Sequence, residues 1–391
     1  MKREDILPFL KLEVIMKRNK LIISMAILLA ILMLFSACDT ENPSAPLQSS
    51  TSITTTPSPS LNPDMQQYKS MDYTYFDTVT TIQGYANSGE EFGEITKDIY
   101  ALLAEYHKLF DIYNSYSGIN NLRTINKLYN GEHKVITVDQ KIIDMLLYAK
   151  EMYNKTNGEI NIAMGSVLSI WHDYRSEADD NWGIGQLPPM EELQEAAKHT
   201  NINDVIIDDV NNTVYLADPK MKLDVGAIAK GYAVEMIARM LEDRGITGFV
   251  INVGGNIRTI GIKANGKTWG AGITNPFDDE ENPYVAYIGL SGQTIVTSGS
   301  YQRYYIVDGK PYHHIIDKDT LMPAVGFESV SIVCGNSAMG DGLSTAVFCM
   351  SLEEGRALIE SLDGVEALWV LSDGTLVRSS GFSYYENQYK K

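Results

Sequence analysis

Cysteine is nearly absent: the 391-residue chain has three, Cys38, Cys334 and Cys349. That excludes a disulfide-built scaffold and leaves too few thiolates for a zinc or iron–sulfur centre. Cys334 and Cys349 stand in apolar stretches and are expected to be buried thiols. Positive charge is scarce as well, with 32 Lys and Arg against 50 Asp and Glu, a formal net charge of -18. Beyond residue 37 the balance is 26 basic to 47 acidic residues. Such a surface repels nucleic acid and anionic membranes, and no basic stripe relieves it, so no nucleic-acid partner is expected. A phosphate-bearing ligand would need a local device, such as a metal, a helix N-terminus or a placed lysine. Internal repeats are lacking, and so is any Pro/Ser-rich break within the body of the chain.

The apolar run at 21–35, LIISMAILLAILMLF, has only 15 residues, short for a comfortable membrane span. Lys17, Arg18 and Lys20 precede it, and Ser36, Ala37 and Cys38 follow, the pattern of a signal peptide over 1–37. Met16 directly precedes the basic residues and is a second candidate start. Small residues followed by Cys38 resemble a lipobox, in which Cys38 is lipidated, although Phe35 stands where Leu or Val is usual. An uncleaved anchor is the alternative; both put the body on the extracytoplasmic face of the cell membrane, touching it only through the anchor. Residues 40–64 contain 16 Ser, Thr or Pro in 25. They cannot bury enough surface to offset their ordering entropy, so residues 38–67 read as a disordered tether.

From residue 68 to the end, strand and helix patterns alternate, which predicts one α+β domain of mixed sheets and helices, with room for two lobes. Alternation predicts a strand over 73–86. Apolar stripes predict helices over 92–113, 139–154, 190–199 and about 226–243. Strands are expected at 213–218 and 248–253, short strands through 257–315, a final helix from near Asp341, and a closing strand pair over 365–378.

Four stretches carry candidate chemistry. LDVGAIAKGYAVE (223–235) sets Asp224 before a Gly-Ala step and Lys230 at a helix start, which suits an anion or, equally, an N-cap beside a solvent lysine. INVGGNIRTIG (251–261) pairs two glycines after a strand. It lacks the G-x-G-x-x-G order of a dinucleotide fingerprint and reads as a close-approach turn or simply a tight one. DGKPYHHIIDKDT (308–320) gathers Tyr312, His313, His314 and Asp317. Adjacent histidines on a strand face opposite ways and no third soft ligand is near, so zinc is excluded; one histidine is expected to be functional and the other a surface residue. In GDGLSTA (340–346), Asp341, Ser344 and Thr345 put hard oxygens on one helical face; Asp341 as a simple N-cap is the alternative.

Each signal is weak alone, but together they resemble one family, the FAD:protein FMN transferases or ApbE-like proteins. The resemblance starts at FDT (76–78) and runs through FDIYNSYSGINNLRTIN (110–126), TNGEINIAMGSVLSIW (156–171), LDVGAIAKGYAVE and the VGGNI turn. It continues in VTSGSYQRYY (296–305), HHIID and the Asp341/Thr345 pair. The resemblance implies Mg²⁺ held by the Ala227 carbonyl, Asp341 and Thr345, with Ser344 at a site where some relatives carry an acid. It implies FAD, as substrate, against Phe76, Tyr113, the stretch Ala163, Met164 and Gly165, Asp224, Lys230 and Ile315. His314 becomes the candidate to orient or deprotonate an incoming hydroxyl, and Asp341 is the other catalytic candidate. The implied reaction moves FMN from FAD to a Thr or Ser of an acceptor flavoprotein of a membrane or extracellular electron-transfer system, with AMP leaving. A pyrophosphatase using water, and a non-catalytic flavin-binding lipoprotein, remain alternatives. Lys318 and Leu321 depart from the HIIDPxTG pattern and predict a reshaped turn. Asn161 replaces a common Asp, and Gly340 and Gly342 are expected to loosen the start of the Asp341 helix.

Overall fold

The computed structural model describes residues 64–127, 134–277 and 279–390. The signal peptide, Cys38 and all but the end of the tether lie outside them. The chain elements are β1 (Gln66–Asp72), β2 (Thr80–Ala86), α1 (Gly89–Phe110), α2 (Leu122–Lys127), β3 (Ile136–Thr137), α3 (Gln140–Lys155), α4 (Gly165–Asp180) and α5 (Met190–Ala197). There follow β4 (Val205–Asp208), β5 (Thr213–Leu216), α6 (Ala229–Asp243), β6 (Phe249–Val253), β7 (Asn256–Ile260), β8 (Trp269–Thr274) and β9 (Tyr284–Leu290). The remainder comprises β10 (Thr294–Gly299), β11 (Tyr304–Val307), β12 (Lys310–His313), β13 (Phe327–Cys334), α7 (Ser337–Cys349), α8 (Leu352–Glu360), β14 (Glu366–Leu371), β15 (Leu376–Arg378) and α9 (Ser383–Tyr389).

Two compact units emerge from the fold. The larger holds residues 64–173, 188–304 and 312–390; the described part of the smaller comprises Tyr174–Leu187 and Tyr305–Pro311. The larger unit is built on an eight-stranded sheet in the order β1-β2-β6-β7-β10-β13-β14-β15. Side chains alternate across a strand, so each strand feeds both faces. Ile332, Cys334, Ala367 and Trp369 join the main core with α1, α3, α6 and α7. Their neighbours Val333 and Leu368 join a second core with the β8–β9 hairpin and Phe382 and Tyr385. This two-sided burial explains the apolar run SIVC in β13. In the smaller unit, Ile306 exchanges backbone hydrogen bonds with Gly183 and Gly185 at 2.7 and 2.9 Å, and Tyr305 Oη donates to the Gln186 carbonyl at 3.2 Å.

The sequence reading differs from the fold at several points. The expected strand over 73–86 begins only at Thr80. Before it, Phe76 and Asp77 take φ of 54° and 50°, a left-handed conformation that ends β pairing. The last helices are three rather than one. The helix carrying Asp341 starts at Ser337, capped by Asn336, whose side chain accepts from the Met339 amide. Asp341 is therefore interior and not an N-cap. Gly340 and Gly342 do not loosen the helix start; they let it pack closely. A Cβ on Gly342 would lie 2.8 Å from Met152 Cε, and one on Gly340 3.1 Å from Val296 Cγ2. Cys334 is buried and unbridged, as expected, whereas Cys349 is only partly buried.

Candidate active site

The centre of the site is a crossing of α6 and α7. Gly231, one turn into α6, has no room for a side chain: a Cβ there would lie 2.4 Å from Asp341 Cβ and 2.4 Å from the Ser337 carbonyl. This close approach brings the Asp341 carboxylate onto the α6 N-terminus. The Gly231 amide, one of the first-turn donors that have no partner within the helix, donates to Asp341 Oδ2 at 2.8 Å. Lys230 Nζ reaches Asp341 Oδ1 at 3.4 Å. Asp341 is 4% exposed. Burial pushes its carboxyl above the usual range, against the lowering pull of Lys230 and the Gly231 amide.

One turn further along α7 stand Ser344 and Thr345. Ser298, from β10, pairs its Oγ with Ser344 Oγ at 2.8 Å and with Thr345 Oγ1 at 3.2 Å. Ser344 is fully buried and donates to the Asp341 carbonyl at 2.9 Å, so its hydroxyl is directed at protein groups. Thr345 is only partly buried and is the more accessible oxygen. Behind the crossing, Arg258 and Glu235 form a buried pair at 3.4 Å. Glu235 Oε2 also accepts from the Ser337 amide at 2.9 Å, and Arg258 reaches Glu242 at 3.0 Å. This network fixes the α7 N-terminus against α6. Neither Ser298 nor the Arg258–Glu235 pair was visible as a site feature in the sequence.

The remaining candidates join through intermediaries. Asp224 Oδ1 accepts from the Gly226 amide at 2.8 Å, and the Asp224 amide donates to the Ile162 carbonyl at 2.8 Å. That bond sets Asp224 beside Ala163, Met164 and Gly165, all buried. Gly165 is required there, because a Cβ would lie 2.5 Å from the Lys222 carbonyl. Asn161 holds the stretch, accepting from the Ala163 amide at 2.9 Å and donating to the Thr200 carbonyl at 2.8 Å. The paired glycines Gly254 and Gly255, at φ 57° and 88°, make the two-residue turn between β6 and β7. A Cβ on Gly254 would lie 2.4 Å from Thr78 Oγ1, so the turn closes onto the segment after Phe76.

Phe76 and Asp77 sit in a conformation that costs about 1–2 kcal/mol per non-glycine residue. The Phe76 amide donates to His107 Nδ1 at 3.2 Å, and Arg303 reaches the Asp77 carbonyl at 3.4 Å. Tyr113 is 46% exposed, with its ring 4.8 Å from that of His172. The two histidines of HHIID separate at the end of β12, and His313 is not the surface residue expected but partly buried. His313 is structural: Nε2 donates to the Ala324 carbonyl at 2.9 Å and Nδ1 accepts from the Ile315 amide at 3.2 Å. Burial pulls its ring below the usual imidazole range. His314 is exposed and donates Nδ1–H to the Arg303 carbonyl at 3.2 Å, which makes Nε2 the basic nitrogen. Ile315 is buried next to it.

The turn after HHIID, which carries Lys318 and Leu321, is held by Asp317. Asp317 Oδ1 accepts from the Asp319 and Thr320 amides at 3.0 and 2.6 Å. Leu321 adopts φ 59° without being glycine. Its carbonyl accepts from Trp171 Nε1 at 3.0 Å, and Lys318 pairs with Glu159 at 3.2 Å.

Residues 76–369 match the model of the ApbE family. The chain is 28% identical over 287 residues to an FAD:protein FMN transferase of Klebsiella pneumoniae, covering 72% of this chain and 84% of that protein. It is 31% identical over 262 residues to an FAD:protein FMN transferase of Treponema pallidum, covering 63% of this chain and 70% of that one. The crystal structure of the ApbE protein of Thermotoga maritima superposes with a TM-score of 0.72 at 30% identity, over 82% of this chain and 99% of that one. The flavin transferase ApbE of Vibrio cholerae shares the fold, with a TM-score of 0.68 at 23% identity over 82% and 99% of the two chains.

Proposed function

The chain belongs to the ApbE family, and from that premise we propose that it is an FAD:protein FMN transferase. It binds FAD and moves the FMN half onto a Thr or Ser hydroxyl of an acceptor protein, releasing AMP. The observation that carries this reading is the buried Asp341 carboxylate drawn onto the α6 N-terminus beside Lys230. On a strongly acidic protein this is the local device a pyrophosphate needs: amide dipoles, one fixed ammonium group and a set of hard oxygens.

The donor set fits a hard divalent cation such as Mg²⁺, held by Asp341, Thr345 and the Ala227 carbonyl, which precedes the start of α6. When bound, the cation supplies charge neutralisation at the pyrophosphate oxygens. Ser344, through Ser298 and the Asp341 carbonyl, braces that corner. Phe76 and Tyr113 make the aromatic wall for the flavin. The buried Ala163–Gly165 stretch, Asp224 and Ile315 complete the FAD groove, and Lys230 faces the phosphates. The acceptor hydroxyl forms a new oxygen–phosphorus bond on the FMN side. Its proton passes to His314 Nε2, whose exposure lets an acceptor approach, and the bond to the adenylate breaks.

The acceptor is an extracytoplasmic flavoprotein of an electron-transfer system, and lipidated Cys38 anchors the enzyme beside it. Cys38→Ala should move the enzyme from the membrane to the soluble fraction; retention there would indicate an uncleaved anchor. The test of the reaction is to incubate the protein with FAD, Mg²⁺ and a candidate acceptor, then look for a fluorescent acceptor band carrying FMN. We expect labelling that excess EDTA abolishes and added Mg²⁺ restores. Full labelling in EDTA would overturn the metal assignment.

A further inference from the structure

His107, on α1, belongs to none of the motifs, yet it lies between two of the proposed flavin contacts. Its Nδ1 accepts the Phe76 amide at 3.2 Å. An accepting Nδ1 requires the proton on Nε2 in the neutral ring, so Nε2–H is directed at Tyr116 Oη, 3.5 Å away. Tyr116 in turn donates its hydroxyl proton to Asp111 Oδ2 at 2.7 Å. The other Asp111 oxygen accepts the Tyr113 amide at 2.6 Å and the Asn114 amide at 2.8 Å. Donation runs from the Phe76 backbone through His107 and Tyr116 to the Asp111 carboxylate, which accepts the Tyr113 backbone from the other side. Aromatic edges close around the imidazole: Phe76 at 5.5 Å, Tyr75 at 6.1 Å and Tyr116 at 6.5 Å between ring centres.

We propose that His107 is a positioning residue for the flavin, clamping the left-handed turn at Phe76 and the Tyr113 loop into one wall. Phe76 is held where an unaided phenylalanine backbone does not rest, and His107 supplies the acceptor that fixes it there. The proposal rests on reading Phe76 and Tyr113 as the flavin wall. The clamp itself is a property of the protein without ligand and can be judged without that reading.

The experiment compares His107→Ala, His107→Asn, His107→Gln and Tyr116→Phe in the full chain, each checked for a native thermal transition. Two quantities are read: hydrogen exchange of the Phe76 amide, and KM for FAD against kcat for acceptor labelling. His107→Ala is expected to speed Phe76 exchange and raise KM about 10-fold with kcat within twofold, the pattern of a lost binding contact. His107→Asn presents an amide oxygen in place of Nδ1 and should restore Phe76 protection and most of the affinity. His107→Gln reaches the Nε2 side and should not. Tyr116→Phe, which cuts only the far link, should raise KM about threefold and leave Phe76 protected. Unchanged Phe76 exchange in His107→Ala, or His107→Asn behaving as the alanine variant, overturns the clamp. If the wild type does not bind FAD, the functional reading falls while the exchange data still decide on the clamp.

Discussion

The two ends of the proposed site are built on opposite principles. The phosphate end, where α6 crosses α7, is buried, assembled from small residues and cross-linked by ionic hydrogen bonds: Gly231 to Asp341, Ser337 to Glu235, Glu235 to Arg258. The flavin end is open, aromatic and backbone-strained, with Tyr113 nearly half exposed and Phe76 in the left-handed region. Charge that must be placed precisely in a low dielectric demands a rigid, desolvated frame. A large planar ligand that must enter and leave is served by a wall made of loops. Damage to the first end should therefore appear in rate and stability, and damage to the second in affinity.

The sharpest break is Asp341→Ala, expected to lower acceptor labelling by at least about 100-fold, because the cation this carboxylate would hold, and its charge stabilisation, go with it. The variant also leaves the Gly231 amide and Lys230 without their partner, so its thermal transition should fall modestly; collapse of the fold would show that Asp341 is structural. Next in size is Arg258→Leu, which takes from the buried Glu235 its buried partner and leaves it only the more exposed Arg239 at 3.2 Å. Breaking one partner of such a pair costs about 3–5 kcal/mol, readable as a lower urea midpoint. A shift below about 1 kcal/mol would mean that the network does not hold the crossing.

At the flavin end, Tyr113→Ala should raise KM for FAD about 3–10-fold, the worth of one aromatic contact, with kcat little changed. A large fall in kcat with constant KM would move Tyr113 into the phosphate chemistry. The smallest effect concerns His313, whose protonation burial disfavours. The unfolded ring then binds the proton more readily than the folded one. Stability should be full above the ordinary imidazole pKa of about 6.5 and decline as pH falls toward the lowered folded value. In His313→Gln, which cannot take up that proton, this part of the slope should be missing from urea midpoints measured between pH 7 and 5.

The sequence made the phosphate end legible because its logic is local spacing. Asp341, Ser344 and Thr345 fall on one helical face by count alone, and the Gly-Gly turn reads directly as a hairpin. What spacing could not reveal was orientation. Ser344 turns its hydroxyl to Ser298 and to backbone because β10 passes beside it, and Gly231 is needed for the depth of an interhelical contact. The flavin end was less legible still. Alternation through 73–86 pointed to an unbroken strand, since Phe76 is not a residue type that announces a left-handed turn and Asp77, which tolerates one, does not demand it. His107 fell within a stretch read as a helix, with no role of its own, and its role depends on a loop thirty-one positions earlier in the chain. Leu321 is similar: a glycine there would have signalled its φ, and the leucine conceals it.

The central claim is that the site protects the FAD pyrophosphate from water until a protein hydroxyl arrives. The measurement that tests it most directly is AMP release from FAD and Mg²⁺, followed with and without the acceptor. The account predicts very slow release without acceptor, and at least about a 100-fold acceleration with it, stoichiometric with FMN bound to Thr or Ser. Rapid, multiple-turnover production of free FMN and AMP from FAD alone would contradict it and identify water as the nucleophile.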